Sequence, residues 1–284
     1  MSLNNFIPTV WASRLLSHLQ KSLVYGQAGV VNRDYEGQIR QAGDSVKINS
    51  IGDVTVKTYT KDADIDAPET LVDASQMLQI TESKYFNFAV DDVDKAQSSV
   101  SVMEEAMKRA GYKLRDVADQ FLAAFHTGVP AANLIGSDGS PKSVTTAAAA
   151  YEYLVDLGTL LDEANIPSEG RFVVVPSWFH GLMQKDDRFV KAGTAKTDEV
   201  LRNGQIGEAA GFSVMKSNNV PNTAGTLYKI VAGHSMALSY AEQIVKVEAY
   251  RKERGFNDGV KGLHVYGAKL VRPAAWAVLT ANKS

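Results

Sequence analysis

Cysteine is absent from all 284 residues, which excludes disulfides and thiolate metal ligands. It also fits assembly in a reducing cytoplasm. Histidine is scarce. The five residues, His18, His126, His180, His234 and His264, show no H-x-x-x-H pairing, so nothing places two imidazoles on one helix face for a metal. No apolar run approaches the ~20 residues of a membrane-spanning helix. Asn4, Asn5 and Pro8 interrupt the apolar stretch a secretion signal requires. Neither charge sign dominates: 30 Lys+Arg against 32 Asp+Glu give a formal net charge of -2. That balance argues against a chain devoted as a whole to nucleic acid, while allowing one basic face. The apolar and charged fractions are ordinary for a globular protein, and the length suits one large domain or two smaller ones.

The most regular pattern runs from Asp91 to Gly128. Val93, Ala96, Val100, Met103, Met107, Ala110, Leu114, Val117 and Phe121 recur at alternating steps of three and four, which keeps them in one stripe on a helix. Asp91 or Asp92 can cap the start by accepting from orphan N–H groups, and Gly128 with Pro130 supplies the stop. The spacing predicts a helix over 91–127, a rod of roughly 50 Å that would brace an elongated subunit. Gly111 is its weak point, because a mid-helix glycine costs about 1 kcal/mol against alanine. Lys95, Glu105, Lys108, Arg109, Lys113 and Arg115 occupy the other side, which therefore faces water or a charged partner.

Ahead of that helix, residues 1–42 read as an arm. Val10, Trp11, Leu15, Leu16, Leu19 and Leu23 make a short amphipathic stretch, and glycines 26, 29, 37 and 43 argue for irregular chain after it. A terminal segment this apolar has to be tied down, on its own core in a monomer or on a neighbour in an assembly. Residues 44–90 read as a long β excursion: Val46 and Ile48, then Val54 and Val56, alternate with polar residues, and Met77, Leu78, Ile80, Phe86, Phe88 and Val90 return the chain. Its tip, Lys61 to Pro68, is acidic. A lone ribbon is marginal in water, so this one implies a surface to lie on, and a partner subunit is a good candidate.

Beyond the long helix, Tyr151, Leu154, Leu157, Leu161 and Ala164 predict a second helix over 147–165. Arg171 to Pro176 is a short apolar run of the buried-strand kind. Ser177 is placed to cap a helix from Trp178 to Gln184. Tyr228–Ala232, Ile244–Ala249, Leu263–Pro273 and Ala274–Thr280 read as strands, His234–Ala241 as a short helix and Gly255–Gly262 as a loop. Strands and helices mix without regular βαβ alternation, so the class is α+β.

Four patterns invite a chemical reading, and each has a plainer one beside it. Gly233-His234-Ser235-Met236-Ala237 sits between a strand and a predicted helix, the context of a nucleophile elbow, with Asp258 and His264 following in hydrolase order. The repeated βα units of that fold are missing, so Ser235 reads better as a helix cap. Asp62, Asp64 and Asp66 open like a calcium loop, but Ala67 and Asp73 occupy the positions that need Gly and Glu; a solvated acidic tip is favoured. Gly204, Gly207 and Gly211 lack the Lys-Ser/Thr of a phosphate loop and suggest a tight turn before a strand. Basic residues 14, 21, 108, 109, 113 and 115 suit phosphate or solvent equally. No catalytic, cofactor or metal residue is assigned.

The order of these parts resembles the major capsid protein of tailed bacteriophages with the Hong Kong 97-like fold. The resemblance rests on Arg171–Pro176, on Gly204–Val214 followed by Ser217-Asn218-Asn219-Val220-Pro221, and on Tyr266–Pro273. The opening Asn5-Phe6-Ile7-Pro8-Thr9-Val10-Trp11 resembles the start of coat proteins of the P22-type group. The resemblance implies an N-arm at 1–42, an extended E-loop at 43–84 over a neighbouring subunit, and a P-domain at 85–140 with the spine helix 91–127. It implies an A-domain at 141–242, P-domain strands at 243–270 and a return to the A-domain at 271–284. It implies pentamers and hexamers closing an icosahedral shell in the virion, assembly in the bacterial host cytoplasm, a separate scaffolding protein and a portal. It also implies non-specific contact with packaged double-stranded DNA, and no membrane. The chain begins at the arm, so a scaffold would be separate, absent or already removed. Lys57, Lys61 and Asn257 are conceivable crosslink partners but match no crosslink motif. The alternatives are an encapsulin-like compartment shell and a serine hydrolase using Ser235.

Overall fold

The computed structural model describes residues 23–35, 45–51, 58–59, 61, 64, 73–91, 102–186, 207–251 and 257–283. The amphipathic stretch of the arm, most of the acidic tip, the first turns expected of the long helix and the polar segment 187–206 lie outside the described residues.

The body is built on an eight-stranded mixed sheet. Its path is β4 (Leu134–Ile135), β13 (Trp276–Asn282), β10 (Leu227–His234), β6 (Arg171–Val175), β8 (Phe212–Lys216) and β7 (Glu208–Ala209). The short strands β5 (Lys142–Ser143) and β9 (Asn222–Thr223) pair at its margins. Alternation sends Phe172, Val174, Val231, Trp276 and Val278 to one face and Val173, Val175, Ile230, Ala232, Ala277 and Leu279 to the other. Both faces are covered, which is why all five residues of β6 are buried and its sequence is a continuous apolar run.

Helix α2 (Ala147–Glu163) covers the second face with Ala150, Leu154, Leu157 and Leu161. The Thr146 hydroxyl accepts from the Ala149 N–H at 3.2 Å and caps its start. Asn165, at φ 55°, turns the chain out of the helix. The buried Arg171 guanidinium donates to the Ile166 and Pro167 carbonyls and to Asp162 Oδ1 at 2.5, 2.8 and 2.7 Å, which fastens the end of α2 to the start of β6. The next helix, α3 (Ser177–Met183), lacks the expected serine cap: Ser177 is inside it, and its hydroxyl donates to Asn218 Oδ1 at 2.7 Å. The expected tight turn before β8 is present: Ala210 and Gly211, at φ 50° and 80°, join β7 to β8 as a two-residue turn of the primed type.

A second, three-stranded antiparallel sheet has β12 (Asn257–Leu270) between β11 (Leu238–Arg251) and β3 (Glu82–Asp91). Three sequence expectations change here. Ser235–Ala237 is a single 3-10 turn, so the helix expected to Ala241 is instead the first part of a long strand. Phe86, Phe88 and Val90 belong to β3 and pair with β12, not with the ribbon. The loop expected at 255–262 is strand from Asn257 onward. Its glycines misled because they look like turn residues. In place they make room for aromatic neighbours: a Cβ on Gly262 would stand 2.4 Å from the Phe86 ring, and one on Gly259 equally close to the Tyr250 ring.

Helix α1 (Val102–Ala123) lies on this sheet. Met107 and Leu114 meet Phe86, Phe88, Val247 and Val260, and further along Ala118, Leu122 and Ala123 enter the main core. Two expectations are corrected. Asp91, the first residue of the predicted helix, is instead the last of strand β3, paired with Asn257. After Ala123 the chain tightens into a 3-10 segment, Ala124–Gly128. The predicted stripe also drifts: Val117 is 39% exposed while Ala118 is fully buried. A repeat of 3.5 residues on a straight helix of 3.6 rotates by about 20° per heptad, enough to exchange position 117 for 118. Gly111 is buried, and the helix runs through it unbroken.

The ribbon is β1 (Ser45–Ile51) against β2 (Asp73–Gln79), seven pairs from Ser45–Gln79 to Ile51–Asp73. Its root is not without cover. Val46, Ile48, Leu78 and Ile80 bury themselves on Ala241 and Val265 of the long sheet, on the side away from α1. The approach is so close that a Cβ on Gly267 would lie 2.2 Å from the Gln79 carbonyl oxygen.

Candidate functional site

The hydrolase constellation is not assembled. His264 lies six residues along β12 from Leu270, the partner of Leu238, so it sits roughly 20 Å up the strand from the Ser235 turn. It is buried and spoken for, with Nε2 3.1 Å from Glu242 Oε2. Asp258 is farther still and pairs with Arg251 at 3.5 Å. Nor is Ser235 a cap; His234 is, its Nδ1 accepting from the Met236 N–H at 3.1 Å. Among the described residues no group of His, Asp and Glu is placed to hold a metal. No described helix is long and apolar enough to cross a membrane. Of the acidic tip, Asp64 is exposed, and Asp62 and Asp66 lie outside the described residues. Gly204 of the glycine block lies outside them as well.

What the structure does assemble is a pair of buried carboxylates that hold the root of the arm. Leu23, Tyr25, Val30 and Val31 are fully buried in the main core, so this part of the arm docks on its own body. Asp119, on the buried side of α1, accepts the Val24 N–H at 3.0 Å and the Tyr25 N–H at 3.2 Å. Burial pushes its carboxyl up to about 6, against the pull of the Val24, Gly26 and Tyr25 N–H groups and of Arg115. Arg115 in turn stacks on the Tyr112 ring at 4.2 Å.

The second anchor is Glu242 on β11. Arg33 reaches it with Nη2 and also donates from Nη1 to the Gly26 carbonyl at 2.8 Å. The Tyr240 hydroxyl donates to Oε2 at 2.7 Å, and His264 Nε2 faces the same oxygen. A carboxylate only accepts, so Nε2 carries the proton. Burial alone would raise the Glu242 carboxyl, but the His264 bond, the Arg33 charge and the Tyr240 bond together hold it below the ordinary carboxylate range. Between the anchors the backbone adds a bridge: the Asn32 N–H donates to the Leu238 carbonyl and the Tyr240 N–H to the Asn32 carbonyl, both at 2.9 Å.

Sequence reasoning missed both carboxylates. The signal available was a lone charge in an apolar setting: Asp119 within Val117–Phe125, and Glu242 at the same strand parity as Tyr240.

The Asp119 geometry predicts a pH response. A carboxyl whose folded pKa exceeds the unfolded 3.8 gives full stability below that value and loses it as pH rises through about 6. Two units correspond to about 3 kcal/mol. Urea midpoints of wild type and Asp119→Asn, compared at pH 4, 5, 6 and 7, should diverge in the variant's favour as pH rises; a constant difference would show that burial is not the dominant influence.

Two outward surfaces remain. On the side of the long sheet that carries the ribbon root, the far end is open. Tyr85, 78% exposed, flanks a groove of about 330 Å³ with Phe86, Asn87, Glu248, Lys261 and Leu263. The Tyr250 hydroxyl donates to Asn87 Oδ1 at 2.7 Å, and Lys261 pairs with Glu248 at 2.8 Å. On α1, Lys108, Arg109 and Lys113 are exposed, with Arg109 bonded to Glu105 at 3.1 Å.

A buried arm root, a ribbon projecting from a long sheet, a brace helix and a mixed-sheet body define a shell-building subunit of the Hong Kong 97-like class. Comparison with known proteins agrees. Residues 75–279 match the family model described as phage capsid protein. A solved structure titled for Mycobacterium phage Che8 is 31% identical over 91% of each chain, with a TM-score of 0.71. The capsid of Ralstonia phage GP4 aligns over 93% of this chain and 90% of its own at 13% identity and a TM-score of 0.67. A virus-like particle from Pyrococcus furiosus aligns over 95% and 97% at 15% identity and 0.58, a likeness of fold alone. Comparison with curated protein sequences finds no match. The chain belongs to the phage capsid protein family. It is a structural major capsid protein of a tailed phage, part of the icosahedral capsid of the virion.

Proposed function

We propose that the chain encloses double-stranded DNA in a shell of pentamers and hexamers, assembled in the host cytoplasm with a separate scaffolding protein and a portal, and that its role is wholly structural. The observation that carries this reading is the ribbon: its root is seated on its own body while its sequence continues into an acidic tip that leaves β1 at Ile51 and returns at Asp73. We assign 1–42 to the N-arm and 43–81 to the E-loop, ending it one residue before β3 begins instead of at 84. The P-domain takes β3, α1, β11 and β12, and the A-domain takes the mixed-sheet body with β13. A boundary at 242 would cut β11, so we place it at Ala237, before that strand begins. Likewise β4 and β5 pair with β13, which supports counting residues 131–143 with the A-domain. P-domain contacts would gather at local three-fold axes and A-domain contacts at five- and six-fold centres, with the open groove beside Tyr85 facing a neighbour.

The basic outer side of α1 would face the packaged DNA through charge alone, without reading bases. Purified particles test both readings. Megadalton shells carrying nucleic acid support this one; shells holding a cargo protein and no nucleic acid would support an encapsulin-like compartment. Reversing Lys108 and Lys113 to Glu should leave shells intact by electron microscopy and reduce the DNA they retain. Unchanged DNA content would remove α1 from the DNA-facing surface.

A further inference from the structure

The arm root is held in an unusual way. Residues 23–35 contain no helix and no strand, only turns closed on Gln27, whose carbonyl accepts from the Val30 and Val31 N–H groups at 2.9 and 3.0 Å. Among the described residues, the segment's polar contacts with the body gather at two places. At the first, consecutive N–H groups of Val24 and Tyr25 meet Asp119 of α1. At the second, Asn32 bridges to Leu238 and Tyr240, and Arg33 meets Glu242. Arg33 also bonds the Gly26 carbonyl, so it links the second anchor back to the first. Four apolar side chains, Leu23, Tyr25, Val30 and Val31, fill the space between.

This arrangement has the features of a unit that opens by itself. Fixing thirteen residues of irregular chain costs conformational entropy of the same order as the gain from burying four apolar side chains. Both anchors also require a carboxylate to leave water, which takes back much of what their hydrogen bonds contribute. The body beneath does not share this balance, since β6, β10 and β13 have their own ladder and α2 covers their other face. The turn closed on Gln27 and the Arg33–Gly26 bond connect the two anchors directly.

We propose that residues 23–35 form a detachable plug that docks and undocks as one cooperative unit between α1 and β11. The inference rests on the fold alone and stands apart from the shell reading.

Native-state hydrogen exchange on the full-length chain tests it, with Asp119→Ala and Arg33→Ala breaking one anchor each. The probes are the bonded amides of Val24, Tyr25, Val30, Val31, Asn32 and Tyr240. In wild type they should exchange with a common opening constant, well above that of the β6 and β10 amides. Asp119→Ala should speed Asn32 and Tyr240, at the opposite anchor, by the same factor as Val30 and Val31, about 10- to 100-fold. Arg33→Ala should do the same for Val24 and Tyr25, and β6 and β10 should not change in either variant. Acceleration confined to the mutated anchor would overturn the proposal. So would equal acceleration of the whole body, which would mark the segment as an inseparable part of the core. If Asp119→Ala does not fold, Arg33→Ala decides alone, by whether Val24 and Tyr25 accelerate together with Asn32 and Tyr240.

Discussion

Removing residues 53–71 and closing the gap with a short turn should abolish shells and leave a folded subunit. The deletion spares all seven pairs of the ribbon root, Ser45–Ile51 with Asp73–Gln79. Val46, Ile48, Leu78 and Ile80 would stay buried on Ala241 and Val265, so the subunit's thermal midpoint should hardly move. What is lost is the segment proposed to lie over a neighbouring subunit. Obligate assemblies bury roughly 2,000 Å² or more per interface, and on the proposed reading the deleted segment supplies much of that area. Sedimentation should find a small species in place of megadalton particles. Normal particles from this variant, seen by electron microscopy, would show that the ribbon tip has no role in assembly.

Glu242→Ala should be the most destabilising single substitution of a polar residue in the described body. It leaves the Arg33 guanidinium, the Tyr240 hydroxyl and His264 Nε2 facing a site with no acceptor. Breaking one partner out of a buried charged cluster costs about 3–5 kcal/mol, measured here by urea unfolding at pH 7. Glu242→Gln should fall between, because an amide oxygen still accepts from Tyr240 or Arg33. The pH dependence has the opposite sign to that of Asp119. Glu242 titrates below its ordinary range in the folded protein, so its contribution is complete above that range and disappears as acid protonates it. A deficit in Glu242→Ala that persisted unchanged into strong acid would rule out the ionised carboxylate as its source.

These effects are large because the two carboxylates join segments far apart in the chain: Val24 and Asp119 are separated by 95 residues, Arg33 and Glu242 by 209. Local pattern carries no trace of such pairings. The elements whose burial is decided locally were legible. The Leu154, Leu157 and Leu161 stripe of α2 and the apolar run of β6 lie where periodicity placed them, since each meets a continuous apolar surface. Elements shaped by their neighbours were not. The glycines of β12 look like turn residues until Phe86 and Tyr250 are seen lying over them. Asp91 looks like the start of a helix until β12 claims it as the last residue of a strand.

By itself, then, the order of residues determined the mixed class, the long helix, the β ribbon, and through their succession the kinship with phage capsid proteins. Hydrophobic period and turn chemistry act over a few residues, and a linear string records them. Only the tertiary structure decided that the arm root is core, that the ribbon is seated on its own sheet, and that Ser235, Asp258 and His264 never meet. Those outcomes depend on which distant surfaces come together, and on the high cost of leaving a buried charge without a partner.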